Sequence, residues 1–186
     1  GADARPFLAR LAGELGESAN LAIIDRDMAV YVAQASSSHS MRMFTEVGRR
    51  VFTHSTGVGK AILAQLPDPA VQDIVTRAGM PPATSRTIET VPDLLTELDR
   101  IRERGYAVDD GEQEIGVRCF AVPVLGAPTP TALSISGPHA RVTQEFGEEH
   151  TRGNAWYVAL RSLQMRMSRV PRPQIKRGEP VVAHRR

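Results

Sequence analysis

The chain has 186 residues, of which 41% are hydrophobic and 24% charged, as in soluble globular domains large enough to bury a core. No apolar run reaches the roughly 20 residues of a membrane-spanning helix and no signal peptide is visible, which excludes a helical membrane protein and predicts a cytoplasmic one. The single cysteine, Cys119, excludes an internal disulfide and agrees with a reducing compartment.

The net charge of +2 is unevenly distributed along the chain. Residues 161–186 hold eight lysines or arginines and one acid, so the remainder of the chain is mildly acidic. An acidic body is a poor surface for nucleic acid. The basic segment contains Pro171, Pro173 and Gly178, which are typical of a solvated, flexible tail, although contact of this tail with DNA or RNA stays open.

Hydrophobic spacing and turn residues predict helices that alternate with groups of strands. Helices are expected from about residue 6 to 15, 56 to 66, 68 to 79 and 92 to 104, and from 141 onward. Strands are expected over residues 20–24, 29–34, 41–47, 106–108, 118–124 and 131–136. Strands grouped at both ends of the chain, with helices between them, favour an α+β fold with an antiparallel sheet. In the second strand, alternation places Ala29, Tyr31 and Ala33 on one face.

The segment from residue 54 to 66 changes from capping residues and glycines to good helix formers. We interpret it as a loop that becomes a helix near Ser55 or Thr56, with a hydroxyl as the N-cap. The first amides of such a helix, around Gly57 and Val58, have no carbonyl partner and attract a carboxylate or a phosphate. The sequence therefore predicts an anion-binding turn, and the alternative is an ordinary capped helix packed on a sheet.

A nucleotide-binding P-loop is excluded in this segment. Gly59 and Lys60 match the end of the pattern G-x-x-x-x-G-K-[ST]. His54 stands where the first glycine is required, and Ala61 replaces the hydroxyl that binds magnesium. A nucleoside triphosphate is therefore not the expected ligand.

The last two predicted strands each have one face of small residues. Alternation places Cys119 with Ala121 on one strand, and Ser134 with Ser136 on the other. Such a face is filled either by a closely packed helix or by a ligand in a cavity. The nearby acidic turn, residues 109–112, offers polar groups at the rim of a cavity and favours the ligand.

Four segments together resemble the signature of IclR-family transcriptional regulators: residues 41–48, 55–61, 105–124 and 133–138. The resemblance implies a GAF-like α+β domain, with a curved antiparallel sheet flanked by helices, in a homodimer or homotetramer. It implies that residues 1–19 form a linker helix after a winged helix-turn-helix domain outside this sequence, which would bind operator DNA. Residues 20–160 would form the effector-binding domain, and residues 161–186 the basic tail.

The resemblance also implies which residues contact the effector. In family members that bind small oxoacids such as glyoxylate or pyruvate, the contacts match Gly57, Val58, Asp109, Cys119, Ser134 and Ser136. The amides of the first two would hold the carboxylate, and the two serines would donate to ligand oxygens. Asp109 repels an anion unless it accepts from a ligand hydroxyl or is protonated. The wall of the pocket is expected at Met41, Met43, Phe44 and Val47, with no metal and no other cofactor.

Three other functions are weaker interpretations of the sequence. A hydrolase that uses Cys119 would need a histidine partner, and none is near it in sequence, so we expect no enzyme. A redox or metal sensor would need a reactive thiol or paired histidine ligands, and the sequence shows neither. A dimerisation module without a ligand is the third alternative. The motifs favour a sensor of a small carboxylate metabolite.

Overall fold

The computed structural model describes residues 4–151 and residue 156, and in these residues one six-stranded sheet is combined with five helices. The helices are α1 (Arg5–Leu15), α2 (Gly57–Leu63), α3 (Asp68–Ala78), α4 (Val91–Arg104) and α5 (Gln144–Thr151). The strands are β1 (Ser18–Asp25), β2 (Met28–Ala35), β3 (Arg50–Phe52), β4 (Ala107–Asp110), β5 (Val117–Pro123) and β6 (Thr131–Pro138). All neighbours in the order β3-β2-β1-β6-β5-β4 are antiparallel, so the predicted α+β class with an antiparallel sheet is confirmed.

The ends of the helices follow from local sequence. The hydroxyl of Thr56 accepts the N–H of Gly59 at 3.2 Å and caps α2, as predicted. Thr90 caps α4 in the same way, by accepting the N–H of Asp93. Gly105 ends α4 with φ at 88°, a left-handed conformation that glycine adopts without the steric cost of a Cβ.

The two faces of the sheet differ in the size of their side chains. On one face, Phe120 of β5 and Leu133 of β6 form a core with Leu8 of α1. The opposite face is built from alanines of five strands and packs against α2, α3 and α4: Ala22, Ala29, Ala107, Ala121 and Ala132. Because alanine ends at Cβ, α2 lies close to the sheet. The predicted division of β5 and β6 into a large and a small face is confirmed.

A β-bulge changes the predicted face of one residue in β2. Leu21 of β1 pairs with Ala33 and the next residue, Ala22, pairs with Tyr31, so Val32 is an extra, unpaired residue. The bulge reverses the alternation beyond this point. Ala33 therefore lies in the core beside α1, and the prediction that it shares a face with Ala29 and Tyr31 is wrong.

Residues 41–47 form a loop, so the predicted strand there is wrong. The third strand is β3, which pairs with β2 at Met28–Val30. The carbonyls of the loop are hydrogen-bonded by side chains instead of by a neighbouring strand. The hydroxyl of Ser18 donates to the carbonyl of Met43 at 3.0 Å, and the guanidinium of Arg141 donates to the carbonyl of Met41 at 2.8 Å.

The predicted linker helix contributes to the core of the domain. Leu8 and Leu11 of α1 are fully buried against the large-residue face of the sheet. The predicted tail, residues 161–186, lies outside the described residues. In the described part of the chain, no helix has the length and apolar character that a membrane span requires.

Candidate functional site

A cavity of about 50 Å³ lies where the start of α2 meets the sheet. Four of the six predicted contacts are in its lining: Gly57, Asp109, Cys119 and Ser136. Asp109 and Ser136 flank Cys119 on the neighbouring strands, because Cys119 pairs with both of them. Antiparallel pairing thus brings three functional groups to one place, although they are distant from Gly57 in the sequence.

Helix α2 approaches β5 so closely that only glycine fits at its first position. A Cβ on Gly57 would lie 2.9 Å from the sulfur of Cys119. Such a distance requires that one of the two groups move. The turn before α2 therefore faces the small-residue strands, as the predicted site requires.

Val58 and Ser134 are not in the lining of the cavity. The side chain of Val58 is fully buried in the core between α2 and the sheet. Ser134 is two residues away from Ser136 on β6 and pairs with Ala121, whereas Ser136 pairs with Cys119. Its hydroxyl is 3.5 Å from the amide nitrogen of Asn20, which donates to it. Ser134 is thus outside the lining, whereas Ser136 is part of it.

Of the four residues predicted for the wall, Met43 is in the lining of this cavity. The side chains of Met41, Phe44 and Val47 are 72%, 63% and 62% exposed. These three residues belong to the loop of residues 41–47 and are largely exposed, so their part in the wall stays a prediction. The hydrogen bonds of the loop carbonyls hold residues 41–47 in a path that differs from the predicted strand.

Asp109 is a buried carboxylate, 5% exposed, at the inner side of the cavity. One of its oxygens accepts the N–H groups of Glu112 at 2.7 Å and of Gln113 at 3.2 Å. Burial raises the pKa of Asp109 to about 6, although these amides and the charge of Lys60 oppose the shift. Asp109 therefore takes up a proton more readily than an exposed aspartate does.

A buried ion pair fixes the turn that follows Asp109 to helix α2. The ammonium of Lys60 is 2.5 Å from a carboxylate oxygen of Glu112. Burial raises the pKa of Glu112 to about 7, with Lys60 acting in the opposite direction. The hydroxyl of Ser55 also donates to the side-chain oxygen of Gln113 at 2.8 Å. Two walls of the cavity are thus joined by polar contacts, which hold its shape.

The surroundings of Cys119 do not suit a nucleophile. Burial, together with the charge of Asp109, raises the pKa of the thiol to about 12. A thiol with such a pKa is not a thiolate at neutral pH. His54 is paired elsewhere, since its Nε2 is 3.2 Å from the carbonyl of Pro81. Cys119 is thus suited to packing and to weak hydrogen bonding.

The lining contains polar residues that the sequence analysis missed, among them Tyr31, Thr45, Arg49 and Gln113. Burial raises the pKa of Tyr31, so its phenol stays a neutral donor at physiological pH. Tyr31 had a signal in the sequence, because it is the one bulky side chain on the alanine face of its strand. No pattern in the sequence indicated Arg49, because its position depends on how the loop before β3 crosses β2.

Metal ligands are not grouped in the described residues. Within residues 4–151 and 156, no set of three or more histidine, cysteine, aspartate or glutamate side chains is arranged to hold an ion. The cavity offers hydroxyl, amide, carboxylate and guanidinium groups instead. This donor set suits a small polar organic molecule.

Comparison with known sequences identifies one family. Residues 2–155 match the family described as bacterial transcriptional regulator IclR C-terminal. The transcriptional repressor IclR of Escherichia coli K12 is 36% identical over 150 residues, which are 76% of this chain and 55% of that protein. The HTH-type transcriptional regulator KdgR of the same strain is 38% identical over 136 residues, 72% of this chain and 52% of that protein. The chain thus spans about half the length of these curated relatives.

Solved structures of regulators share the fold. The C-terminal domain of E. coli KdgR has a TM-score of 0.78 at 31% identity, covering 90% of this chain and 97% of that one. Thermotoga maritima IclR has a TM-score of 0.80 at 30% identity, covering 88% and 66%. A double mutant of the PobR inducer-binding domain from Acinetobacter, in complex with 3-hydroxybenzoic acid, has a TM-score of 0.78 at 24% identity, covering 88% and 96%.

These comparisons confirm the predicted GAF-like fold and the predicted family. The relatives are named as transcriptional regulators and repressors, which indicates a regulatory role for the group. The chain belongs to the IclR family of bacterial transcriptional regulators, of which it matches the C-terminal, effector-binding domain.

Proposed function

We propose that this domain senses a small carboxylate metabolite in the bacterial cytoplasm, as the non-catalytic part of a transcriptional regulator. The observation that carries the proposal is the cavity that joins Gly57, Asp109, Cys119 and Ser136 between α2 and the strands. Family membership supports a regulator, and the donor groups of the cavity support an oxygen-rich ligand. The ligand needs no metal or cofactor in this scheme.

The size of the cavity limits the ligand. One water needs about 10–15 Å³ of such volume, so a cavity of about 50 Å³ holds roughly four water-sized groups. An acid with two to four carbon atoms has this size. The PobR domain in complex with 3-hydroxybenzoic acid is an example of a small organic acid bound to a protein of this fold.

The polar groups around the cavity suggest how the ligand is held. The first amides of a helix have no carbonyl partner within it, so the amide of Gly57, which is in the lining, can donate to ligand oxygens. A contact from the amide of Val58 stays a prediction from the family resemblance. The hydroxyl of Ser136 donates from the opposite strand. Asp109 accepts from a ligand hydroxyl, or it is protonated when the ligand binds. Cys119 packs against the ligand between these groups.

The full-length protein would couple this binding to DNA. We propose an N-terminal winged helix-turn-helix domain that binds an operator and a homodimer or homotetramer assembled from complete chains. The support is that curated relatives named HTH-type regulators are about twice as long as the part that this chain matches. Ligand binding would then shift the population of the conformation that binds DNA.

The proposal predicts different effects for the two serines. Ser136→Ala is expected to weaken the binding of a small acid by about 1–2 kcal/mol, because a hydrogen bond to a charged oxygen is lost. Ser134→Ala is the matched control and is expected to change affinity less, because Ser134 is not in the lining. The measurement is a thermal-shift screen of acids with two to four carbons, followed by calorimetric titration of the strongest one.

Two results would contradict acid sensing. If no acid raises the melting temperature, the domain is better explained as a dimerisation module. If the acids bind but both serine variants keep the wild-type affinity, the ligand lies elsewhere. Turnover of an ester or amide that Cys119→Ala abolishes would favour the hydrolase alternative.

A further inference from the structure

The charged side chains in the lining of the cavity have different surroundings. Arg49 is exposed and follows the loop that borders the cavity, whereas Asp109 is buried at the inner side. Within the part of the chain that the structure describes, the guanidinium of Arg49 forms no ion pair. By contrast, Arg50, the next residue, is paired with Asp25 at 2.5 Å. Arg49 thus brings a positive charge without an ion-pair partner to a lining that also contains the acids Asp109 and Glu114.

Hydrogen bonds fix the backbone of Arg49. Its N–H donates to the carbonyl of Glu46 at 3.1 Å, and its carbonyl accepts the N–H of Tyr31 at 3.1 Å. The N–H of the preceding Gly48 donates to the carbonyl of Tyr31 at 2.7 Å. These bonds hold the base of the arginine at the edge of β2, beside a tyrosine that is also in the lining. A guanidinium held in this way suits a carboxylate, to which it can donate two parallel hydrogen bonds.

Asp109 has the opposite preference. When ionised, a carboxylate is only an acceptor, and one oxygen of Asp109 already accepts two backbone amides. A ligand carboxylate placed against Asp109 would meet a like charge in a poorly solvated site. A ligand hydroxyl would instead donate to it. The two ends of the cavity therefore select different groups of one small molecule.

We infer that Arg49 orients the effector by pairing with its carboxylate, while a hydroxyl group of the same molecule donates to Asp109. The effector class is then a small hydroxy acid rather than an unsubstituted acid or an oxoacid. This inference rests on the proposed function and narrows it. Arg49 is a specificity-determining residue in this arrangement, because it fixes which end of the molecule reaches the buried carboxylate.

The test uses four acids of equal chain length: propionate, pyruvate, lactate and 3-hydroxypropionate. Calorimetric titration at neutral pH is expected to show that at least one hydroxy acid binds about tenfold tighter than propionate and pyruvate, as for a hydrogen bond to a charged group. Asp109→Asn is expected to remove most of this preference. The side-chain amide of the introduced asparagine no longer repels the oxoacid, and it accepts a hydrogen bond from a hydroxyl less strongly than a carboxylate does.

The arginine is tested with variants that separate pairing from general charge. Arg49→Gln is expected to weaken the hydroxy acid about tenfold or more, and Arg49→Lys to restore part of the loss. Arg42→Gln is the control, because it removes the same charge from the same loop outside the cavity lining. Among the described residues, the Arg42 side chain donates to the carbonyl of His39, and its variant is expected to bind within about twofold of the wild type.

The outcomes separate this inference from the proposed function. If the four acids bind with equal affinity, or if Arg49→Gln behaves like Arg42→Gln, the assignment of Arg49 and of the hydroxy acid is overturned and acid sensing stands. If no acid binds in this set or in the wider screen, both are overturned. A hydroxyl preference lost in Asp109→Asn, together with a loss specific to Arg49→Gln, supports the orientation.

Discussion

Gly59→Ala is expected to lower the free energy of unfolding by about 2–3 kcal/mol, although alanine is the better helix former. A Cβ at this position would lie 2.4 Å from both the Cα and the carbonyl oxygen of Thr53. These are backbone atoms, so no side-chain rotation relieves the overlap. The turn before α2 is itself held, since the hydroxyl of Thr56 donates to the carbonyl of Phe52 at 2.8 Å. The methyl group must therefore displace the helix or the turn.

Gly13→Ala is the matched control for this prediction. Gly13 lies in α1, and a Cβ there would meet no atom within 4 Å. The control is expected to stabilise the domain by up to about 1 kcal/mol, through helix propensity alone. Urea unfolding gives both values from the shift of the midpoint at constant slope. Equal effects of the two substitutions on stability would contradict the close contact between Gly59 of α2 and the backbone of Thr53.

The unliganded domain is expected to lose several kcal/mol of stability as the pH rises from about 4.5 to 8. Burial raises the pKa of Asp109 from 3.8 to about 6 and that of Glu112 from 4.5 to about 7. Between the unfolded and folded values, the folded chain binds more protons than the unfolded chain. For these two groups, stability is therefore highest below pH 4, falls as the pH rises, and levels off above about pH 6 for Asp109 and about pH 7 for Glu112. Each unit of pKa corresponds to about 1.4 kcal/mol, so each group contributes up to about 3 kcal/mol.

His54 has the opposite effect, which the experiment must separate. Burial lowers the pKa of His54, so its contribution to stability is present above the unfolded value and is lost as the pH falls. Melting temperatures measured from pH 5 to 8 therefore need variants. Asp109→Asn is expected to flatten the decline below about pH 6, and Glu112→Gln the decline below about pH 7. A wild-type stability that stays constant or rises over this range, with unchanged slopes in both variants, would contradict the assignment.

The stability and the ligand predictions concern the same group of residues. Lys60 and Glu112 join α2 to the turn whose amides hold Asp109, and Gly59 lets α2 lie against the preceding turn. A change in the protonation of Asp109 or Glu112 thus acts on both the shape and the charge of the cavity. If Asp109 accepts a ligand hydroxyl, it does so best when it is ionised, above its pKa of about 6. We therefore expect small acids to raise the melting temperature most near pH 8, where the unliganded domain is least stable.

Local sequence determined the helices, most of the strands and the two faces of the sheet. Thr56 caps α2 and Gly105 ends α4, because capping depends on a few consecutive residues. Phe120 and Ala121 lie on opposite faces because side chains alternate along any regular strand. The motif segments also indicated the family and four residues of the cavity lining, since these residues lie within local motifs of turn and strand.

Only the tertiary structure decided where these elements meet. The bulge at Val32 places Ala33 on the other face of the sheet. The side chains of Ser18 and Arg141 hold residues 41–47 as a loop. Three of the predicted wall residues in this loop are exposed. Arg49 reached the lining through the same loop. Such outcomes depend on contacts between residues far apart in the chain, whose geometry no local pattern contains. Short stretches of sequence therefore specify the helices and strands, whereas the packing of these elements determines the shape and charge of the cavity.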